Sequence, residues 1–304
     1  MTLKLPGLAV ALAAILVVTA GVVLLAGWFP LAGSREGPEA AAGPFPRVVS
    51  LCSAATEAAL ALGLAEHLVG VDEHSALPGA GAVPVIASGG RVSAERLLAA
   101  KPHLAFAWWY QRGAIEQMER LGIRVTALRA QSADEALELV EAVARACGAA
   151  ERGSVLASRL RAELAALTEQ APRPDELRPL VYLELHSPFK SCGPGSYAHD
   201  LILRAGGRNV AVDAGNPYPM VSSEVLLARQ PDVVLLVRAA GAPPEDVASR
   251  PGWAGLRAVA SRSVHVLPND LVSPGPRVAE AVRAIRRLLH PGSPAGDASC
   301  HSTR

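Results

Sequence analysis

Short apolar runs alternate with amphipathic segments along most of this chain. The runs are rich in Val, Leu and Ile, as expected for strands buried on both faces, and the segments after them have the helical spacing of apolar residues. Strands are predicted at RVVSL (47–51), LVGVD (68–72), VPVIA (83–87), LAFAW (104–108), IRVTAL (123–128), PLVYLEL (179–185), VVLLV (233–237) and VHVLP (264–268). This alternation predicts an α/β fold in which helices cover parallel sheets.

The alternation stops in the middle of the chain. Ser132 and Glu135 form a capping box, and helical periodicity then continues almost to Leu167. About 35 residues of helix would span ~50 Å at 1.5 Å per residue, with bends expected at Gly148 and Gly153. The pattern therefore predicts a long helical connection between two α/β halves.

A sequence repeat marks equivalent positions in the two halves. VSAERLLAAKP begins at Val92 and VSSEVLLARQP begins at Val221, and seven of the eleven positions are identical. Each copy is predicted to be a helix that runs into a strand, with a glutamate (Glu95 or Glu224) in the first helical turn. The helix dipole favours a negative charge there, so a local structural role explains either glutamate alone. The repeat as a whole predicts two similar lobes.

The N-terminal segment has the composition of a membrane helix. No charge occurs from Leu8 to Ala26, Trp28 and Phe29 follow, and about twenty such residues span the core of a bilayer. We favour an uncleaved anchor over a cleaved signal peptide, because the apolar region of a signal peptide is usually shorter. Lys4 places the N-terminus in the cytoplasm, so the rest of the chain is expected on the outer face of the cell membrane, periplasmic or extracellular.

The predicted organisation has six parts, and the protein is expected to be a monomer. The parts are a membrane anchor or signal segment (1–30), a flexible tether (31–45), an N-terminal lobe (46–131), a linking helix (132–172), a C-terminal lobe (173–290) and a disordered tail (291–304).

Composition argues against several functions. The net charge is +1, and no basic stripe with interleaved aromatic residues indicates a nucleic-acid partner. The four cysteines (Cys52, Cys147, Cys192 and Cys300) have no zinc-site spacing, although a disulfide outside the cytoplasm stays open. The sequence contains no G-x-S-x-G, H-E-x-x-H or P-loop motif, which disfavours the hydrolases that use them.

Five stretches, taken in order, resemble a known class of receptor. They are RVVSLCSAATEAALALG, VSAERLLAAKPHLAFAWW, LGIRVTAL, CGPGSYAHDLILRAGGRNVA and VSSEVLLARQPDVVLL. Over residues 46–290 the chain resembles the substrate-binding proteins of ABC importers for cobalamin, haem and iron-siderophores, and most closely the cobalamin-binding branch. The resemblance implies two lobes joined by one long backbone helix, a ligand cleft between the lobes, and no enzymatic activity.

The resemblance also gives the repeat a function. Glu95 and Glu224 match the glutamates that, in the cobalamin importer, lie at the tip of each lobe and pair with arginines of the permease dimer. Charge-assisted pairs of this kind orient two partners more than they tighten the complex. We therefore expect both glutamates to dock against an ABC permease.

Loops at the carboxyl ends of the strands should line the ligand cleft, because parallel strands end at one edge of a sheet. The candidate ligand-binding residues are His74, Trp108, His186, Phe189, Tyr218, Asp270 and Arg277. By resemblance, Trp108 and Tyr218 match aromatic positions of the cobalamin receptor, and Arg277 lies near its polar contact region. His74 and Gly89, in contrast, stand where that receptor has aromatic residues, which puts cobalamin itself in question.

The two histidines have two interpretations. A neutral imidazole at His74 or His186 could ligate a metal that the ligand carries, or each could be a polar lining residue. No cofactor is expected for the protein itself, and any cobalt or iron would belong to the transported ligand.

Two other functional classes stay open. A membrane-tethered hydrolase could use Cys192 or Ser196 as its nucleophile. Its base would be His186 or His199, with Asp200 as the partner of that base. A receptor-like pair of lobes could also serve only to organise a membrane complex. The sequence favours a non-enzymatic receptor that delivers a cobalamin-like corrinoid or another chelated-metal nutrient to an ABC permease, with haem or a ferric siderophore as the alternative ligand.

Overall fold

The structure is a computed structural model and describes residues 44–172, 174–239 and 247–291. Cys300, the predicted membrane segment (1–30) and most of the predicted tether (31–45) and tail (291–304) lie outside the described residues. Within the described ranges, no helix is both long enough and apolar enough to cross a lipid bilayer.

Six strands form the sheet of the N-terminal lobe. They are β1 (Val48–Leu51), β2 (Leu68–Asp72), β3 (Val85–Ser88), β4 (Arg91–Val92), β5 (Leu104–Trp108) and β6 (Arg124–Leu128). The strands lie in the order β4-β3-β2-β1-β5-β6, and every neighbouring pair is parallel except β3 and β4. β1 lies inside the sheet and is buried along its whole length, in agreement with its nearly continuous apolar sequence.

Three helices belong to this lobe. They are α1 (Ser53–Ala61), α2 (Ala94–Ala100) and α3 (Arg112–Arg120). α1 buries alanines three and four positions apart, among them Ala54 and Ala58, because small side chains let the helix approach its neighbours closely.

The linking segment contains two helices. They are α4 (Ala133–Ala146) and α5 (Ala150–Glu169). Gly148, between them, has a φ of 74°, the left-handed conformation that ends helices and that glycine adopts without strain. The prediction of one continuous helix up to Leu167 is therefore wrong, because Gly148 ends the first helix instead of bending it.

α5 folds back against α4. Any side chain at Gly153 would collide with the Cβ of Ala144, so the two backbones approach closely at this glycine. Arg161 on α5 pairs with Glu141 on α4 at 2.9 Å. The linking segment is thus a helical hairpin.

The described part of the C-terminal lobe contains a sheet of four strands. They are β7 (Leu180–Glu184), β8 (Arg208–Asn209), β9 (Val233–Arg238) and β10 (Val264–Pro268), in the order β10-β9-β7-β8 and all parallel. The helices of this lobe are α6 (Tyr197–Arg204), α7 (Ser223–Arg229), α8 (Arg257–Ala260) and α9 (Val278–Leu289).

One helix of the hairpin, α5, links the two lobes. Near its start, Arg152 donates a hydrogen bond to the carbonyl of Leu62 in the N-terminal lobe, at 2.8 Å. Near its end, the carbonyl of Leu167 accepts a hydrogen bond from Arg286 on α9, at 3.1 Å. The predicted architecture, two α/β lobes joined by one backbone helix, is confirmed, although that helix is shorter than predicted.

The two copies of the repeat fold in the same way. Ser93 caps α2 and Ser222 caps α7, each accepting a hydrogen bond from a backbone N–H in the first turn. Both helices have seven residues and end on a left-handed residue, Lys101 with φ 46° or Gln230 with φ 48°. The repeated sequence therefore specifies one local structure, a capped short helix that leads into a buried strand.

Polar contacts hold the two lobes together beside the carboxyl ends of β1 and β6. The hydroxyl groups of Ser53 and Ser273 lie 3.3 Å apart. Gln131 donates from Nε2 to the carbonyl of Gly195, at 2.6 Å. The carboxyl edge of the N-terminal sheet therefore faces the C-terminal lobe.

Candidate functional site

Three consecutive aromatic residues lie at the end of β5, at the edge that faces the other lobe: Trp108 ends the strand, and Trp109 and Tyr110 follow it. The rings of Trp108 and Tyr110 stack with centroids 6.2 Å apart and planes 8° apart, and Trp109 meets Tyr110 edge-on at 6.0 Å. Trp108 packs against the core, whereas Trp109 is 42% exposed and Tyr110 is 61% exposed. The wall that a ligand could contact is therefore formed mainly by Trp109 and Tyr110, neighbours of the predicted residue Trp108.

Tyr218 belongs to the C-terminal lobe and lies close to this wall. Its ring is 48% exposed, and its backbone N–H is held by the side chain of Asn216 at 3.0 Å. In the wall itself, desolvation of the Tyr110 hydroxyl group raises the pKa of Tyr110 to about 12. The nearby ionisable groups of Cys52, Asp72 and Tyr218 add to this rise. The two tyrosines, one from each lobe, are thus near enough to influence each other.

The loop after β7 carries His186 and Phe189. His186 is exposed, whereas Phe189 is half-buried and meets Trp253 edge-on, with ring centroids 6.0 Å apart. Phe189 also has a φ of 64°, a conformation that costs energy for a non-glycine residue unless its surroundings hold it. Much of the Phe189 ring therefore serves the packing of its own lobe.

Glu184, at the end of β7, holds this loop in place. Its carboxylate is 0% exposed and accepts hydrogen bonds from Arg238 at 2.5 Å, from Arg250 at 2.7 Å and from the backbone N–H of Phe189 at 2.9 Å. Burial alone would raise the pKa of Glu184, but these donors keep it below its ordinary value. A buried carboxylate with so many donors is a rigid support for the loop that it anchors.

Asp270 and Arg277 line a cavity to which the aromatic residues above do not contribute. They form an ion pair at 2.7 Å, and they line this cavity of about 450 Å³ together with Glu57 of α1 and Arg159 of α5. Arg277 also pairs with Glu280, at 2.9 Å. The contact of Asp270 and Arg277 with a ligand stays a prediction.

Glu57 is an unusual member of that cavity. Its Oε2 atom is buried and has no hydrogen-bond partner among the described residues. Burial raises the pKa of Glu57 to about 7, and the positive charge of Arg277 opposes this rise. Glu57 therefore titrates close to neutral pH at the junction of the two lobes and the linking helix.

The histidines predicted for the site do not form a metal centre by themselves. The side chain of His74 is 82% exposed, with Glu73 at 3.6 Å. In the part of the chain that the structure describes, no group of three His, Cys, Asp or Glu side chains is arranged to hold a metal ion. A role for His74 or His186 toward a metal in the ligand stays a prediction.

The residues of the alternative hydrolase are engaged in structural contacts. Cys192 is buried, and burial raises the pKa of its thiol to about 12, so little nucleophilic thiolate forms at neutral pH. Ser196 caps α6 by accepting from the backbone N–H of His199. Asp200 accepts from the backbone N–H of Ala133 and pairs with Arg204. Cys52 and Cys147 are likewise buried and free, so no disulfide joins the three described cysteines.

Glu95 and Glu224 are both exposed in the first turn of their helices, as predicted. A hydrogen bond from Ser222 lowers the pKa of Glu224 below its ordinary value, which keeps this carboxylate ionised. Exposure and charge therefore permit both glutamates to meet a partner, and their docking against a permease stays a prediction.

Two residues of the site were missed by the reasoning from sequence. Arg129 is the first residue after β6, and its guanidinium lies over the ring of Trp109 with 5.2 Å to the centroid. Arg129 could have been predicted, because loops at the carboxyl ends of parallel strands are expected to line the cleft and Arg129 follows β6. Glu57 has no such signal, because it lies within α1 and becomes part of a cavity only when the C-terminal lobe packs beside it.

The chain matches characterised proteins along most of its length. It is 30% identical over 262 residues to a vitamin B12-binding protein of Vibrio cholerae, covering 83% of this chain and 92% of that protein. It is 31% identical over 202 residues to a vitamin B12-binding protein of Salmonella typhimurium, covering 64% of this chain and 74% of that protein.

Solved structures have the same fold. The periplasmic vitamin B12 binding protein of Vibrio cholerae superimposes with a TM-score of 0.67 at 27% identity, covering 81% of this chain and 97% of that one. A periplasmic haem-binding protein from Roseiflexus sp. RS-1 in its apo form gives a TM-score of 0.67 at 29% identity, covering 82% of this chain and 100% of that one. Residues 48–271 match the family described as periplasmic binding protein, and the chain belongs to that family.

Proposed function

We propose that this protein is an extracytoplasmic receptor that captures a cobalamin-like corrinoid or another chelated-metal nutrient and delivers it to an ABC permease. The observation that carries the proposal is the aromatic pair Tyr110 and Tyr218, which approach each other from opposite lobes with exposed rings. Trp109 extends the wall on the side of the N-terminal lobe. Aromatic walls fit a flat conjugated ligand because stacking buries a large area with few ordered side chains.

A cobalamin-like corrinoid is the ligand that we favour. Relatives named for vitamin B12 binding cover most of the chain at 30–31% identity. Haem or a ferric siderophore is the alternative, supported by the haem-binding structure at 29% identity. The exposed His74, which replaces an expected aromatic residue, is the feature that most favours the alternative.

Delivery is proposed to use the two repeat helices. Glu95 and Glu224 occupy equivalent, exposed positions at the starts of α2 and α7, so they can meet two symmetric cationic sites on a permease dimer. The uncharged run from Leu8 to Ala26 supports a membrane tether that would keep the receptor on the outer face of the cell membrane.

Ligand titration of the full-length protein in a mild detergent tests this proposal, with detergent alone as the blank. Cyanocobalamin, haemin and ferrichrome are added separately, and binding is followed by calorimetry and by absorbance. We expect one macrocycle to bind with a dissociation constant in the micromolar range or below. Failure of all three ligands, together with turnover of generic esters or peptides, would favour the hydrolase instead.

A further inference from the structure

Arg129 lies between the aromatic wall and the opposite lobe. Its guanidinium stacks over Trp109, and Nη2 donates to Oε1 of Gln131 at 2.5 Å. The amide nitrogen of Gln131 donates in turn to the carbonyl of Gly195 in the C-terminal lobe, at 2.6 Å. These contacts fix the plane of the guanidinium at the gap between the lobes.

The charge of Arg129 is not neutralised by its contacts. Its partners are an indole ring and a side-chain amide, and no carboxylate pairs with it among the residues that the structure describes. Arg277, the cation predicted from the sequence, differs in this respect, because Asp270 and Glu280 both pair with it. Arg129 therefore retains a positive charge that a ligand could neutralise, whereas Arg277 would first have to leave its partners.

The field of Arg129 reaches the other side of the gap. Desolvation raises the pKa of Tyr218, and the charge of Arg129 opposes that rise. Arg129 and Tyr218 are thus close enough to interact, although they belong to different lobes. A ligand that contacts Trp109 and Tyr218 would bring its periphery within reach of this guanidinium.

A guanidinium that stacks on an aromatic ring still presents N–H donors along its edge. Those donors match the two oxygens of a carboxylate or a phosphate, and the pairing is stronger beside apolar rings than in open water. An amide or a hydroxyl group on the ligand would gain much less from the same guanidinium, because it carries no charge.

We propose that Arg129 determines specificity by binding an anionic oxygen group at the rim of the stacked ligand. The inference rests on the proposed receptor function and names the ligand class more closely: a flat macrocycle with a peripheral carboxylate or phosphate. A porphyrin supplies carboxylates through its propionates, and a complete corrinoid supplies a phosphodiester through its nucleotide. Both sources have the same chemistry at Arg129.

Matched ligands with and without the anionic group test this inference on the full-length protein in detergent. One pair is haemin and haemin dimethyl ester, whose carboxylates are capped. The other pair is cyanocobalamin and dicyanocobinamide, which has lost the phosphate-bearing nucleotide. Each is titrated into the wild type, into Arg129→Gln, and into Arg120→Gln, a control that removes an exposed arginine from the end of α3.

We expect Arg129→Gln to weaken binding of the ligand that carries the anionic group at least tenfold and to leave its counterpart without that group within about twofold. The wild type should prefer the ligand with the anionic group, and Arg120→Gln should behave as the wild type. If only the haemin pair shows this difference, the anionic group is a propionate carboxylate; if only the cobalamin pair shows it, the anionic group is the nucleotide phosphate.

The inference is overturned if the wild type binds a macrocycle but Arg129→Gln binds both members of that pair as the wild type does. A proportional loss for both members would also overturn it, because stacking alone would then explain the effect. Absence of binding to all four ligands by the wild type would instead count against the proposed function, so the two failures are distinguishable.

Discussion

At the scale of single residues, the site separates side chains that support the fold from side chains that are free to meet a ligand. Trp108 is the last residue of β5 and packs against the core, whereas Tyr110, two residues later, is mostly exposed. The sequence predicts that Trp108 lies at the cleft, because this residue ends a buried strand. It does not predict which ring faces the gap, because the path of the chain after the strand decides that orientation.

Alanine substitutions of the aromatic residues should distinguish those that contact the ligand from those that stabilise the fold. Tyr110→Ala and Tyr218→Ala are expected to weaken ligand binding at least roughly tenfold, since each removes an exposed stacking surface, with little change in stability. Trp108→Ala should lower the free energy of unfolding by about 2–4 kcal/mol, because it leaves a cavity against the core. Calorimetric titration and urea unfolding measure the two effects. Unchanged affinity in both tyrosine variants would show that the ligand binds elsewhere.

Glu57 should make stability depend on pH. Its pKa is raised from 4.5 to about 7, so between these values the folded chain binds more protons than the unfolded chain. Protonation of Glu57 therefore contributes to the stability of the folded chain at low pH, and this contribution is lost as the pH rises through about 7. Glu57→Gln, which cannot ionise, should be more stable than the wild type at pH 8 by a few degrees in Tm, with a smaller difference at pH 5.

Thermal unfolding at both pH values measures this effect, and Glu119→Gln, which changes an exposed carboxylate on α3, is the matched control. A constant difference in Tm between Glu57→Gln and the wild type from pH 5 to pH 8 would contradict the raised pKa of Glu57.

At the scale of elements, the sequence predicts what a repeating pattern encodes and misses what depends on contacts between distant segments. Strands β2, β5 and β10 have the predicted bounds, because each is an apolar run of ordinary strand length. β4 and β8, with two residues each, carry no such pattern and exist only through pairing with a neighbour. The hairpin of α4 and α5 was missed for a related reason, because helical periodicity on both sides of Gly148 reads as a single helix.

The buried cluster around Glu184 should be the energetic support of the loop after β7. Glu184→Ala is expected to lower the free energy of unfolding by about 3–5 kcal/mol, because it leaves Arg238 and Arg250 without their shared carboxylate in a buried setting. Asp213→Ala removes the carboxylate of an exposed ion pair with Arg229 and should cost less than about 1 kcal/mol. Urea unfolding of both variants compares them directly. Equal losses would mean that the Glu184 cluster contributes no more than a surface pair.

At the scale of the whole molecule, the two lobes meet around a junction that combines the linking helix with polar contacts from both sides. Ser53 contacts Ser273, Gln131 contacts Gly195, and Arg204 on α6 pairs with Asp134 on α4 at 2.7 Å. Apolar residues of both lobes and of the linking helices also share one buried core, among them Leu104, Leu160 and Leu183, and a large apolar junction limits the relative motion of the lobes. The positions of the two repeat helices should consequently change little when a ligand binds, which suits a receptor that presents both tips to one partner.

Reversal of both tip charges should therefore disable delivery without disabling capture. In the double variant Glu95→Arg and Glu224→Arg, ligand affinity is expected to stay within about twofold of the wild type, since neither side chain belongs to the aromatic site. Assembly with the permease should fail, because each reversal replaces an attraction by a repulsion, and each single variant should show a partial defect. Uptake of radiolabelled ligand by cells and co-purification with the permease measure delivery.

The variant Glu119→Arg with Glu169→Arg reverses the same number of exposed charges away from the tips and should transport normally. Normal uptake by the tip variant would leave the repeat as a shared element of the fold with no part in docking.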